Sequence, residues 1–164
     1  TPAALDAVAA MAEVAGGHVG AGTLVTPEDV RAAKRAGATF GVSPGATDAL
    51  IAACEEEELP LLPGAATASE AMQLFARGYD MLKFFPAEAS GGAPALKAIG
   101  APLPQITFCP TGGVSPDNAE SYLSLPNVLC AGGSWVAPKK LIDTGDWAGI
   151  EALARAAAQL GKAG

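Results

Sequence analysis

Short β-rich apolar runs return about every twenty residues along this chain, and alanine-rich stretches with helical spacing lie between them. The runs are GHVGAG (17–22), TFGVSP (39–44), LPLLPG (59–64), DMLKFFP (80–86), QITFCP (105–110) and NVLCAGG (127–133), which makes six expected strands. The helical stretches include PEDVRAAKRAG (27–37), TDALIAACEEEE (47–58), SEAMQLFARG (69–78) and SPDNAESYLSL (115–125). Thr26 before Pro27, Thr47 before Asp48 and Ser115 before Pro116 read as helix starts. A strand followed by a helix, repeated, specifies a parallel sheet with helical crossovers. The runs lack polar alternation, as expected when both faces are covered.

Two α/β architectures fit, a doubly wound open sheet and a (β/α)8 TIM barrel. Each run ends in a cluster of turn-forming residues: GAGT (20–23), SPG (43–45), PGAAT (63–67), FPAE (85–88), PTGG (110–113) and AGGS (131–134). Six such ends converge more naturally at one barrel mouth than along one crevice, so the barrel is the expectation. The chain opens on a helical pattern, TPAALDAVAAMAEV (1–14), with Thr1 as N-cap and no initiator methionine. The order is therefore a helix followed by six strand-helix units. It implies a single barrel domain over residues 1–164, lacking the first strand, first helix and second strand upstream of Thr1, and it places Lys83 on the sixth barrel strand.

Half of the 164 residues are hydrophobic, enough for one well-buried core, and the formal charge of −7 argues against nucleic acid or an anionic membrane as partner. No apolar run approaches membrane length and no signal peptide is evident. Cys54, Cys109 and Cys130 form no C-x-x-C pair, which suits a reducing cytoplasm, and all three read as structural. The lone His18 has no neighbouring ligand set, which speaks against a metal site, and a single histidine makes a Ser-His-Asp or Cys-His mechanism a poor fit. The acidic run Glu55 to Glu58 reads as a solvated helix end.

In YDMLKFFPAE (79–88) one lysine stands inside an apolar run. By itself that fits a stem laid along apolar surface with the charge in water. Strand periodicity puts Met81, Lys83 and Phe85 on one face and Leu82 and Phe84 on the other, and a lysine is better tolerated toward the barrel interior than against helices. Desolvation there favours the neutral amine, which attacks a ketone to form a Schiff base. A lysine that holds phosphate as a point charge, in an isomerase or synthase, is the competing reading. The loops after the last two expected strands, PTGGVSPDN (110–118) and AGGSW (131–135), carry paired glycines. Barrels often bind phosphate there, so Gly112, Gly113, Gly132, Gly133 and Ser134 are the candidate phosphate site, with a following helix N-terminus adding its dipole.

VGAGT, SPG, KFFPAE, FCPTGG and GGSW together resemble the 2-keto-3-deoxy-6-phosphogluconate aldolases, including those that also handle 4-hydroxy-2-oxoglutarate. The resemblance runs across essentially the whole chain. It implies a class I aldolase on a (β/α)8 barrel, commonly a homotrimer with no metal or organic cofactor, acting on a small phosphorylated keto acid and pyruvate. Lys83 matches the Schiff-base lysine; Thr23, Pro44 and Phe85 match the pyruvate pocket; Thr111, Gly112, Gly113 and Ser134 match the binders of phosphate and sugar hydroxyls. The glutamate and arginine that the family places on and just after its second strand would fall upstream of Thr1, and Glu88 reads as structural or loop-ordering. A chain without them could also be an inactive fragment.

Overall fold

Helix and strand alternate through most of the chain, as its pattern requires. The computed structural model describes residues 1–161. Its elements run α1 (Ala4–Ala12), β1 (Gly20–Gly22), α2 (Pro27–Arg35), β2 (Phe40–Val42), α3 (Asp48–Glu56), β3 (Leu61–Leu62), β4 (Gly64–Ala65), α4 (Ala68–Ala76), β5 (Met81–Phe84), α5 (Gly92–Gly100), β6 (Thr107–Pro110) and α6 (Ala119–Leu123). A 3₁₀ turn (Ser134–Val136), α7 (Lys139–Thr144) and α8 (Trp147–Ala157) complete them. The chain divides into two compact units, Thr1–Lys83 and Phe84–Gly164.

Three threonines set where α2, α3 and α4 begin. Thr26 Oγ1 accepts from the Asp29 N–H at 3.1 Å, and the Asp29 carboxylate accepts from the Val25 and Thr26 N–H groups, both at 2.9 Å. That reciprocal arrangement satisfies donors a helix start leaves unpaired. Thr67 and Glu70 repeat it at α4, and Thr47 caps α3 through the Leu50 N–H at 3.2 Å. Thr1 does not cap α1, whose start at Ala3 has no side-chain cap. Ser115 does not start α6 either: the chain makes a turn first, closed by Asn118 Oδ1 accepting from the Ser115 N–H at 2.8 Å, and the five-residue helix follows.

The strands correct the barrel expectation. They form two three-stranded sheets, in the orders β1-β2-β3 and β4-β5-β6, and not consecutive staves of one barrel wall, whether complete or short of its first strands. In the first sheet all pairing is parallel, with Gly22 opposite Val42 and Val42 opposite Leu62. Pro63 marks the division. The single run LPLLPG becomes β3 and β4 on either side of Pro63, which has no N–H to give a ladder. Carbonyls of this run still accept: Pro60 and Leu62 from the Gly41 and Ser43 N–H groups at 2.7 and 3.2 Å, and Pro63 from the Lys83 N–H at 2.9 Å.

A second correction falls at NVLCAGG, which forms two isolated parallel bridges, Phe108 to Val128 and Thr111 to Gly132, in place of a strand. The Phe108 N–H donates to Asn127 and its carbonyl accepts from Leu129. The next rung would need an N–H from Pro110, which has none. The Pro110 carbonyl accepts instead from Gly132, one residue later than regular pairing would place it, so the segment bulges.

The unit Thr1–Lys83 is built on a cluster that includes Val19, Leu24, Val30, Leu50 and Leu59, all under a tenth exposed. In the unit Phe84–Gly164 the fully buried large side chains are Phe84, Leu96, Ile106, Phe108 and Tyr122. Each such burial contributes about 1.5–3 kcal/mol.

Candidate functional site

Lys83 is 9% exposed, between Leu82 at 0% and Phe84 at 1%. The surface reading of this lysine therefore fails: β5 is buried along its length from Leu82 to Phe84. An ammonium held away from water is costly unless it is paired. Thr23 follows β1 and is exposed, and the Gly22–Thr23 peptide is cis. Pro44 follows β2, half-buried, so Thr23 and Pro44 leave the same end of two adjacent parallel strands. Gly64 lies close beneath Pro44, whose carbonyl oxygen would stand 2.2 Å from a Cβ added there. Next to Pro44, Ser43 is 0% exposed and its Oγ makes no hydrogen bond among the described residues.

In the unit Phe84–Gly164 two backbone segments zip together. The Thr111 N–H donates to Phe84 at 3.0 Å, the Ala87 N–H to Thr111 at 2.8 Å and the Glu88 N–H to Gly112 at 3.0 Å. Gly112 and Gly113 both take positive φ, 93° and 83°, which a side chain would strain. Space is short as well: a Cβ on Gly112 would press on the Phe85 ring at 3.1 Å, and one on Gly113 would clash with Glu88 Cγ at 2.6 Å. The Thr111–Gly132 bridge sets the second glycine pair, Gly132–Gly133, beside this turn, and Ser134 opens the 3₁₀ turn that follows. Thr111 Oγ1 is buried and makes no hydrogen bond among the described residues. The helix dipole expected behind Gly113 is not available, since α6 starts only at Ala119 and has five residues.

Tyr122 carried no signal in the sequence. It is fully buried, and its hydroxyl donates to Glu88 Oε1, 34 residues away. Burial, then that bond, pushes the phenol above its ordinary range. Cys130 departs from a structural role: it is exposed, and a hydrogen bond from Cys109 lowers its thiol to about 7, while burial pushes Cys54 up. His18 is exposed, and among the described residues no group of three or more His, Cys, Asp or Glu side chains could hold a metal ion. No helix among them is long and apolar enough to cross a membrane.

A parallel α/β chain with a buried strand lysine and paired-glycine turns matches an aldolase family model over residues 1–153. The chain belongs to the KDPG and KHG aldolase family. It is 53% identical to the 2-dehydro-3-deoxy-phosphogluconate aldolase of Pseudomonas aeruginosa over 140 residues, covering 85% of this chain and 64% of that protein's length. Among solved structures it is similar to the KDPG aldolase of Legionella pneumophila, in which pyruvate is captured at low pH as a covalent carbinolamine intermediate. There the TM-score is 0.91 and the identity 45%, over 96% of this chain and 77% of that one. It is also similar to the 2-keto-3-deoxy-6-phosphogluconate aldolase of Zymomonas mobilis solved with 3-phosphoglycerate, with a TM-score of 0.81 and 47% identity over 85% of this chain and 66% of that one.

Proposed function

We propose that the protein is a class I aldolase that reversibly cleaves 2-keto-3-deoxy-6-phosphogluconate to pyruvate and glyceraldehyde 3-phosphate, and 4-hydroxy-2-oxoglutarate to pyruvate and glyoxylate. The buried Lys83 in a chain 45% identical to an enzyme caught with covalent pyruvate carries this reading. The Lys83 amine attacks the C2 ketone, giving a carbinolamine that loses water to form a protonated imine. As the C4 hydroxyl gives up its proton to water, the C3–C4 bond breaks with its electron pair drawn into the imine as an enamine, and the aldehyde leaves. Protonation at C3 and hydrolysis return the lysine and release pyruvate.

Thr23 hydrogen-bonds the pyruvate carboxylate, while Pro44 and Phe85 line the pyruvate pocket. Thr111, Gly112, Gly113, Gly132, Gly133 and Ser134 hold the phosphate and read the sugar hydroxyls. The side-chain-free glycine turns and the uncommitted Thr111 hydroxyl support that assignment. No metal or organic cofactor is needed for this sequence of steps. We assign the enzyme to the cytoplasm, which three cysteines without a C-x-x-C pair suit, and to a homotrimer, as the family resemblance implies.

Borohydride trapping tests the central step. Incubation with pyruvate, reduction and peptide mass mapping is expected to place one adduct on Lys83, absent from Lys83→Ala. No adduct, or labelling spread over the surface lysines, would sink the Schiff-base mechanism and favour a lysine acting only as a charge.

A further inference from the structure

The Gly112–Gly113 turn is held from outside its own sequence. Glu88 reaches it twice: its N–H donates to the Gly112 carbonyl at 3.0 Å, and its Cβ and Cγ lie so close to Gly113 that an added Cβ there would stand 2.7 and 2.6 Å from them. The Glu88 stem is thus the wall against which the Gly113 backbone is packed. Tyr122 holds that wall in place, because its buried hydroxyl donates to Glu88 Oε1 and fixes the direction in which the side chain points. Asn118 adds a further tether, from Nδ2 to the Gly113 carbonyl at 3.0 Å.

Resting on the phosphate reading given above, we infer that Glu88 and Tyr122 form a positioning pair for the Gly112–Gly113 turn, setting affinity for the phosphorylated end of the substrate and not for its pyruvate end. A purely structural pair would only satisfy the buried phenol, as buried polar groups generally require. The two roles separate by experiment.

Calorimetric titration with 3-phosphoglycerate and with glycerate, alongside the yield of reduced pyruvate adduct, distinguishes them. Tyr122→Phe keeps the ring and deletes the donor. It is expected to weaken 3-phosphoglycerate binding about tenfold, the weight of a hydrogen bond to a charged group, leaving glycerate binding and adduct yield unchanged. Glu88→Gln keeps the acceptor oxygen and should bind as the unaltered protein does, whereas Glu88→Ala should match Tyr122→Phe. Glu88 is exposed, so Glu88→Ala carries the test if loss of the phenol hydroxyl impairs folding. Unchanged 3-phosphoglycerate affinity in Tyr122→Phe and Glu88→Ala, or an adduct yield that falls in step with it, overturns the pair's role. Tighter binding in Glu88→Gln would reduce Glu88 to a repelling charge and overturns it too. An unaltered protein that fails to prefer 3-phosphoglycerate over glycerate instead sinks the phosphate reading itself.

Discussion

The two units order their loops by different means. In Thr1–Lys83, helices α2, α3 and α4 each begin on a threonine whose hydroxyl accepts from the N3 amide, twice with the reciprocal carboxylate. In Phe84–Gly164, α5 begins on Gly91 in the left-handed conformation, and α6 and α7 begin without any side-chain cap; only α8, through Asp146 and the Gly149 N–H at 2.9 Å, resembles the first unit. What the second unit has instead is backbone pairing between loops, 84–88 with 111–113 and 110–111 with 132. Local caps fix helix starts cheaply, but they consume the free N–H groups that an anion site uses. Turns pinned by neighbouring backbone leave some of theirs to a ligand.

That contrast breaks most readily at Phe108. Its ring is 1% exposed, and its N–H and carbonyl hold Asn127 and Leu129. Phe108→Ala should cost about 3–5 kcal/mol in denaturant unfolding. Hydrogen exchange should show the Leu129 and Gly132 amides losing protection while Gly41 and Ser43 keep theirs. Equal loss in both units would mean that they unfold together and that the contrast is one of local geometry alone.

A smaller effect sharpens the other side. Thr26→Ala and Thr67→Ala should each lower stability by about 1 kcal/mol, read as a shift in denaturation midpoint. Hydrogen bonds from the Val25 and Ala66 N–H groups hold the Asp29 and Glu70 carboxyls below their ordinary range. A carboxylate lowered on folding stabilises fully above its unfolded pKa and loses that contribution as the pH falls through its folded value. The Thr26 and Thr67 hydroxyls, lost in the variants, also lower these carboxyls, so the gap between variant and unaltered protein should narrow toward the acid end of that window. A pH-independent difference would trace the loss to the hydroxyl alone.

The same contrast explains what the sequence made legible. T-x-x-D at Thr26 and T-x-x-E at Thr67 are short-range signals, because partner and cap lie three residues apart. The first helix boundary is read from Thr26 before Pro27, without its partner Asp29; the second is there to be read in TASE. The strand runs were equally plain as apolar segments, but their pairing was not, since two prolines decide it. Pro63 splits one run between two sheets, and Pro110 withholds the donor that NVLCAGG would need to become a strand. Of the proposed site, the lysine and the glycine turns are visible as residue types out of keeping with their surroundings. Tyr122 is not, because a tyrosine in SYLSL is ordinary until folding brings it to Glu88.

Cysteine chemistry gives the finest comparison, with the smallest expected cost. Cys130 is exposed, so Cys130→Ser should change stability by no more than about 0.5 kcal/mol. Its reactivity should nevertheless stand apart. With the Cys109 hydrogen bond favouring the thiolate, iodoacetamide labelling of Cys130 should rise with a midpoint near pH 7, whereas Cys54 in the first unit, pushed up by burial, should label only at higher pH or on unfolding. Cys109→Ala removes the donor and should move the Cys130 midpoint upward. A midpoint that stays in place would assign the lowered thiol to some other neighbour, and with it would go the argument that pairing between loops, which brings β6 beside residues 127–132, tunes the chemistry of this unit.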